Sequence, residues 1–376
     1  MNRGGFTFYE FFAGGGMARA GLGDGWACLF ANDFDPLKAG AYRANWGAED
    51  LFQGDVWTLR AADLPGRADL AWASSPCQDL SLAGARSGLA GARSSAFWGF
   101  WRLMQALAAE DRAPRTIVVE NVAGLLTSGG GADFAGLCRA LAEGGYVYGA
   151  LEVDAARFTP QSRPRLFVVA SRRAPAETVG DSPFHSRAVR AAHDALPDSL
   201  KAGWRWWRLP APPLRNTRLA DLLEPDDAVG WRTPVQTAQA LALMAPLHRA
   251  RVAALAGDGG RHVGALFRRM RRENGRAVQR AEVRFDGLAG CLRTPRGGSS
   301  RQALVVVHGG EVRTRLLTAR EGARLMGLAD DFRLPASQSA GLHVVGDGVA
   351  VPVVRWLAAH LLEPLIGATS LGVAAE

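Results

Sequence analysis

Residues 6–17 read FTFYEFFAGGGM: an apolar, aromatic run ends in Ala13-Gly14-Gly15-Gly16, and a helical stretch follows from Met17 to Gly23. Aromatic residues followed at once by glycines read as strand, tight loop, helix. Working outward, Ala27–Ala31 (ACLFA) makes a second strand, Pro36–Trp46 a helix, Asp69–Ala73 (DLAWA) a strand, Ala96–Ala109 a helix and Thr116–Val119 (TIVV) another strand. Strands alternating with helices specify an α/β fold with a parallel, doubly wound sheet. Leu166–Ala170 (LFVVA) continues the rhythm after a loop, and there it breaks. From 171 to about 300 the chain is rich in Arg, Pro and Trp, with the cluster Trp204, Trp206 and Trp207 and the proline-rich run Leu209–Leu214. The expected division is a first domain over 1–171, a second over 172–340, and a C-terminal segment, 341–376, whose apolar-periodic helix Val351–Leu365 returns to the first.

The 376 residues suffice for two domains with a sizeable core. Hydrophobic residues at 48% and charged residues at 21% exclude a disordered, collagen-like or disulfide-scaffold chain. No stretch approaches the roughly 18 consecutive apolar residues of a membrane span, and MNRGGFTFYEFF lacks a secretory signal. A soluble, intracellular protein without a membrane partner is expected. Four cysteines, Cys28, Cys77, Cys138 and Cys291, show no CxxC spacing, which argues against a zinc ribbon or a disulfide framework. The net charge is +8 with only two lysines, and the window Arg261–Arg301 holds eleven Arg against Glu273, Glu282 and Asp286. Such an excess has the footprint of a phosphate-backbone reader, or of a solvated basic face.

The glycine turn lies at the carboxyl end of the first strand, where open α/β sheets bind cofactors. A GxGxxG fingerprint would need glycine where Arg19 stands, and a phosphate loop would need GK[ST] where Gly21 is followed by Leu22. A nucleoside cofactor without a pyrophosphate remains. Asp33 offers a carboxylate to ribose hydroxyls, Phe34 a ring to a purine, and Asp55 in Gly54-Asp55-Val56 an acceptor for an exocyclic amine. Ser74-Ser75-Pro76-Cys77-Gln78 follows another strand at the same edge. Cys77, after a proline in a polar loop, has the context of a nucleophile, whereas the other three cysteines read as small buried hydrophobes. Glu120 ends the apolar strand in VVENV (118–122), and Arg163 and Arg165 in QSRPR (161–165) precede the next one. A strand-end glutamate usually pairs with a cation, and two such arginines usually lie on the surface.

In order, FFAGGGM, the Asn32-Asp33-Phe34 segment, GDV, SPCQ, ENV, QSRPR, RLLTAREGARLMG and GDGVAVPV cover about residues 6–170 and 290–365, and this series resembles the DNA cytosine-5 methyltransferase family. The resemblance implies a Rossmann-like, S-adenosylmethionine-dependent methyltransferase fold with a smaller target-recognition domain. It implies a cytosine flipped out of duplex DNA, with Cys77 adding to C6, Glu120 hydrogen-bonding N3, and Arg165 with Arg163 holding the base oxygen. The methyl donor would be held by Phe12, Ala13, Gly14, Gly15, Gly16, Met17, Asp33, Phe34, Asp55, Val56, Pro76, Asp347 and Val349, and no metal is required.

Gln78, Ser81 and Arg93 are implied backbone or gap-filling contacts on the DNA side. Asn121, from the same block, braces the Cys77 loop rather than touching the base. Arg293, Arg296 and Arg301 belong to the basic window of the recognition domain, and Arg315, Thr318, Arg320 and Glu321 fit the block that scaffolds it. The Trp204–Trp207 cluster reads as core rather than a base-stacking surface.

The chain departs from the family pattern at Glu10, where Asp is usual, at Asp33, where Glu is usual, and at Asp347, where Asn is usual. The first two conserve charge, and the third puts a carboxylate where that motif closes over the donor. Double-stranded DNA is the implied partner, with room for a cognate restriction endonuclease, for a monomer in the bacterial cytoplasm or nucleoid. A tRNA cytosine as substrate and a catalytically silent DNA-binding protein of the same fold are the other readings. A nicotinamide oxidoreductase fails on the missing third glycine.

Overall fold

A computed structural model describes residues 5–75, 96–273, 275–293 and 301–367. The chain divides into two compact units, one of residues 1–154, 164–213 and 349–376, the other of 155–163 and 214–348.

The first unit is built on a seven-stranded sheet, β1 (Phe6–Phe11), β2 (Trp26–Asp33), β3 (Leu51–Gln53), β4 (Leu70–Ala73), β5 (Thr116–Asn121), β6 (Val147–Asp154) and β7 (Pro164–Ser171), in the spatial order β3-β2-β1-β4-β5-β7-β6. Helices α1 (Met17–Leu22), α2 (Pro36–Trp46), α3 (Ala96–Ala109) and α4 (Ala132–Glu143) alternate with the strands, so the expected α/β architecture is observed. The expectation of a parallel sheet needs correction at one edge: β7 runs antiparallel to both β5 and β6. Only nine residues, 155–163, separate β6 from β7, and a parallel return needs a crossover of about a dozen or more. Strands buried on both faces read as continuous apolar runs, as in β4, wholly buried from Leu70 to Ala73.

On α3, Phe97, Phe100, Trp101, Met104 and Leu107 recur at helical spacing and enter the core, as Phe134, Leu137, Cys138 and Leu141 do from α4. Residues 164–213 stay with this unit, a different cut from the expected one at 171/172. The Arg205 N–H donates to Tyr148 O, the Tyr148 N–H to Gly203 O, and Trp207 Nε1 to Val169 O at 2.9 Å. Gly149 permits this approach, since a Cβ there would fall 1.9 Å from Arg205 O. Trp204 and Trp207 are buried core residues, with Trp204 packed edge-on against Tyr148 and Phe134.

The helical run 338–367 is long and apolar enough to cross a membrane, yet it breaks after Asp347 and resumes at Val351. Its later part, α10 (Val351–Leu357) and beyond, lies in the first unit, where Val354 meets α1 at Gly21.

The second unit carries a four-stranded antiparallel sheet, β11-β10-β8-β9, made of β8 (His262–Glu273), β9 (Arg276–Arg284), β10 (Ala303–His308) and β11 (Glu311–Leu316). Helices α6 (Pro234–Ala242) and α7 (Pro246–Gly257), numbered after α5 (Arg187–Asp194) of the first unit, contribute Ala240 and Val252 to its core with Leu266, Ala281, Val283 and Val305. At its base α8 (Ala319–Leu325) begins with a capping box between Thr318 and Glu321. Arg315 and Glu321, both fully buried, meet in a two-pronged pair at 2.8 and 2.5 Å, and Glu321 also accepts from the Thr318 and Glu224 main chain. The last helix of the unit is α9 (Gln338–Asp347).

Candidate active site

The glycine turn after β1 is shaped by backbone conformations that side chains resist. Gly14 and Gly16 have φ of +58° and +79°, the left-handed region in which glycine costs least. A Cβ on Gly16 would fall 2.2 Å from Trp46 Nε1, which already donates to Gly15 O. A Cβ on Gly14 would meet nothing within 4 Å among the described residues, which leaves that main chain accessible to a ligand from their side. Phe12 also takes a positive φ, 58°, without being glycine, and such strain is commonly stored at functional sites.

At the end of β2, buried Asp33 holds this turn: Oδ2 accepts from Gly14 N at 2.7 Å and Oδ1 from Asp35 N at 2.8 Å. Burial is the main cause raising its pKa above the usual carboxylate range, so further donors would be favourable there. Phe34, its neighbour, presents its ring to solvent at 74% exposure. Asp55 accepts from Trp57 N and caps a short turn whose Val56 is buried. Beneath the turn lies Glu10, whose Oε1 accepts from Arg19 N, while Oε2 has no hydrogen-bond partner among the described residues. Burial pushes this carboxyl up to about 8. A buried carboxylate beside an exposed ring and an open glycine cradle fits a nucleoside. Ala13 and Met17, expected at the same site, are buried in the turn and at the start of α1.

Across the sheet, Glu120 is the last residue but one of β5 and Arg165 the second of β7, with Arg165 Nε 3.2 Å from Glu120 Oε1 and both side chains largely buried. Next to Glu120, Asn121 Nδ2 donates to Ser75 O at 3.1 Å and lies 3.4 Å from Ser75 Oγ, while its Oδ1 accepts from Val122 N. Ser75 is the last described residue before Cys77 in the chain. Pro76, Cys77, Gln78, Ser81 and Arg93 lie outside the described residues, as does Arg296. Among the other cysteines, burial pushes Cys28 up to about 12 and raises Cys138, which keeps both as unreactive thiols.

Arg163 belongs to the second unit, buried, with its guanidinium donating to the carbonyls of Leu292, Gly346 and Gly348 at 2.9, 2.8 and 2.6 Å. Gln161, two residues earlier, likewise spends its amide on Leu292 N and Leu325 O. The sequence reading gave Gln161 no role, and the alternation Gln161, Arg163, Arg165 was the available signal. Asp347 closes α9, 3.7 Å from His343, and Val349 is buried in the first unit. Arg293 is exposed and Arg301 partly buried.

The chain matches the family model described as C-5 cytosine-specific DNA methylase over residues 6–363. It is similar to the type II methyltransferase M.BsuFI of Bacillus subtilis, 26% identical over 372 residues that span 96% of this chain and 73% of the relative. It is also similar to the type II methyltransferase M.HpaII of Haemophilus parainfluenzae, 27% identical over 96% of this chain and 90% of the relative. Among solved structures, the S. pombe Dnmt2 methyltransferase aligns over 96% of this chain and 99% of its own, with a TM-score of 0.59 at 19% identity, a likeness of fold.

Proposed function

This chain belongs to the C-5 cytosine-specific DNA methylases, and from that membership we propose that it methylates C5 of a cytosine flipped out of a specific duplex DNA sequence, through a covalent bond from Cys77. The observation that carries the reading is the Glu120–Arg165 pair, a carboxyl and a guanidinium set side by side at the end of the sheet.

C5 of cytosine is a weak nucleophile, and the proposed chemistry raises its electron density first. Cys77 as thiolate adds to C6, forming the S–C6 bond, and the C5–C6 electron pair becomes enamine-like at C5. The carboxyl of Glu120 shares a proton with N3, where charge develops, and Arg165 fixes that carboxyl and holds the base oxygen. S-adenosylmethionine, when bound, supplies an electrophilic methyl group. Once C5 carries the methyl, its proton leaves to a base. The electrons of that C–H bond restore the C5–C6 double bond, and the S–C6 bond breaks to return the thiolate.

The residues present fit that donor. Phe12, Ala13, Gly14, Gly15, Gly16 and Met17 would form its cradle, Asp33 would take the ribose hydroxyls, Phe34 the purine face, and Asp55 with Val56 the exocyclic amine, with Pro76 and Val349 as further contacts. Asn121 is a positioning residue for the Cys77 loop. Arg163 positions the chain entering β7 by its carbonyl contacts, and base contact is left to Arg165. Residues 172–340 include the target-recognition part, with Arg293, Arg296 and Arg301 toward DNA.

The test is to express wild type and Cys77→Ser and to bisulfite-sequence the host DNA. A recurring methylated motif with wild type only is the expected result. Unmethylated DNA from both would overturn the reading.

A further inference from the structure

The peptide groups of the glycine turn after β1 divide into held and unheld. In the Ala13–Gly14 peptide, the N–H of Gly14 donates to Asp33 Oδ2 at 2.7 Å and the carbonyl of Ala13 accepts from Gly16 N at 2.8 Å. In the Gly15–Gly16 peptide, that same Gly16 N–H is spent, and the carbonyl of Gly15 accepts from Trp46 Nε1 at 3.0 Å. A trans peptide is planar with its C=O and N–H on opposite sides, so a partner at each end fixes its orientation. Between these two lies the Gly14–Gly15 peptide, whose carbonyl and N–H have no protein partner among the described residues. Main-chain groups inside a fold are nearly always paired, so this peptide is the one the turn leaves for a ligand.

Trp46, the last residue of α2, is itself held in place. Arg19 of α1 sets its guanidinium carbon 5.1 Å from the Trp46 ring centroid and 5.8 Å from that of Tyr42, within the range of a cation–π contact. Tyr42 and Trp46 are four residues apart on α2 and so share a face. Arg19 Nη1 donates to the Tyr42 hydroxyl at 2.8 Å and to Asp50 Oδ2 at 3.1 Å, and the carbonyl of Asp50 accepts from Ala31 N in β2. The place beside Gly16 is filled by this indole, since a Cβ there would fall 2.2 Å from Trp46 Nε1. Neither Arg19 nor Trp46 belongs to the donor set drawn from the sequence motifs.

We propose that Trp46 is a positioning residue for the methyl donor: its indole N–H fixes the Gly15–Gly16 peptide so that the unspent Gly14–Gly15 peptide is presented to the donor, and Arg19 acts through it by holding the indole against α2. This rests on the donor reading given above and extends the site to residues behind the turn. Asp33 and Trp46 hold the two flanking peptides, one by an acceptor and the other by a donor.

The experiment is calorimetric titration of the full chain with S-adenosylhomocysteine, beside binding to a mixed-sequence duplex. Trp46→Phe keeps an aromatic ring beside Arg19 and removes the N–H. It should weaken binding of S-adenosylhomocysteine by about tenfold, the effect of one lost hydrogen bond in a fixed site, and raise KM for the donor by a like factor, with duplex affinity unchanged. Arg19→Ala, which leaves the indole in the chain, is the second variant and should weaken the same binding by a similar factor. Because Arg19 acts through Trp46, the double variant should bind no more weakly than the weaker single one. Thermal melting checks that each variant folds. An unchanged affinity in either single variant, additive losses in the double one, or equal losses for S-adenosylhomocysteine and duplex overturn the proposal. Wild type that binds no S-adenosylhomocysteine overturns the donor reading itself, a result distinct from wild type and variants binding alike.

Discussion

The carboxylate of Glu120 and the guanidinium of Arg165 meet at 3.2 Å across the antiparallel strands β5 and β7. Glu120 is paired in register with Phe167, so Arg165, two residues earlier, reaches it along the diagonal. Neither strand alone makes the pair, and the reversed direction of β7 delivers Arg165 to the same sheet end as Glu120.

Glu120→Gln keeps the shape of the side chain and removes the proton that the proposed mechanism has it share with the base. The expected result is a fall in kcat of about 10²- to 10⁴-fold, with donor and DNA affinities within a few-fold of wild type. Single-turnover methylation with labelled donor, beside equilibrium binding, separates the two. A wild-type rate in the variant would reject the role given to Glu120.

Asn121, at the end of β5, is tied to Ser75, which follows β4. Asn121→Ala removes donors to a buried carbonyl and an acceptor from Val122 N, at a cost of about 1–3 kcal/mol in stability. Asn121→Asp restores the acceptor only and should not rescue the rate, because a carboxylate cannot donate to Ser75 O. Rate recovery in the Asp variant would show that the Ser75 bond is dispensable.

Asp33 turns the glycine loop into a fixed cradle by accepting from Gly14 N. Asp33→Ala frees that main chain and removes the proposed ribose acceptor. A rise of tenfold or more in KM for the donor is expected, with DNA affinity unchanged. Calorimetry with the donor product checks it, and an unaltered Kd would sink the assignment.

How much was legible follows from which interactions are local. Helices Pro36–Trp46 and Ala96–Ala109 could be bounded from apolar spacing and an Asp-Pro start, and the turn after β1 from its glycines. The direction of β7 was not legible in LFVVA, because it is set by the short link before it. The arginine run Arg268–Arg272 hid β8, since its outer half has no core to face and so no apolar alternation. Arg163 looked like a site residue because its partners Leu292, Gly346 and Gly348 are distant in sequence. Nothing in QSRPR alone tells a guanidinium aimed at a base from one holding carbonyls.

The Arg315–Glu321 pair is the buried charge centre of the second unit. Arg315→Ala leaves a carboxylate buried without its cation, and about 3–5 kcal/mol of stability should be lost. The double variant Arg315→Met with Glu321→Leu removes both charges and should lose less than Arg315→Ala alone. Urea denaturation of the variants decides it, and a double variant weaker than the single one would show that the hydrogen bonds of Glu321 to Thr318 and Glu224 outweigh the cost of its burial.

Glu10 gives the first unit a pH dependence whose sign can be worked out. Its carboxyl is raised by burial from an ordinary 4.5 to about 8 in the folded chain, so the folded state keeps it protonated where the unfolded chain ionises. Its favourable contribution is complete below about pH 4.5 and is lost progressively as the pH climbs to about 8, by at most about 5 kcal/mol. Above that, both states are ionised and the difference is constant. Glu10→Gln carries no such proton, so its advantage over wild type should widen from pH 5 to pH 8 in urea denaturation. Parallel stability curves for the two proteins across that range would show that Glu10 ionises in the fold as easily as in the open chain.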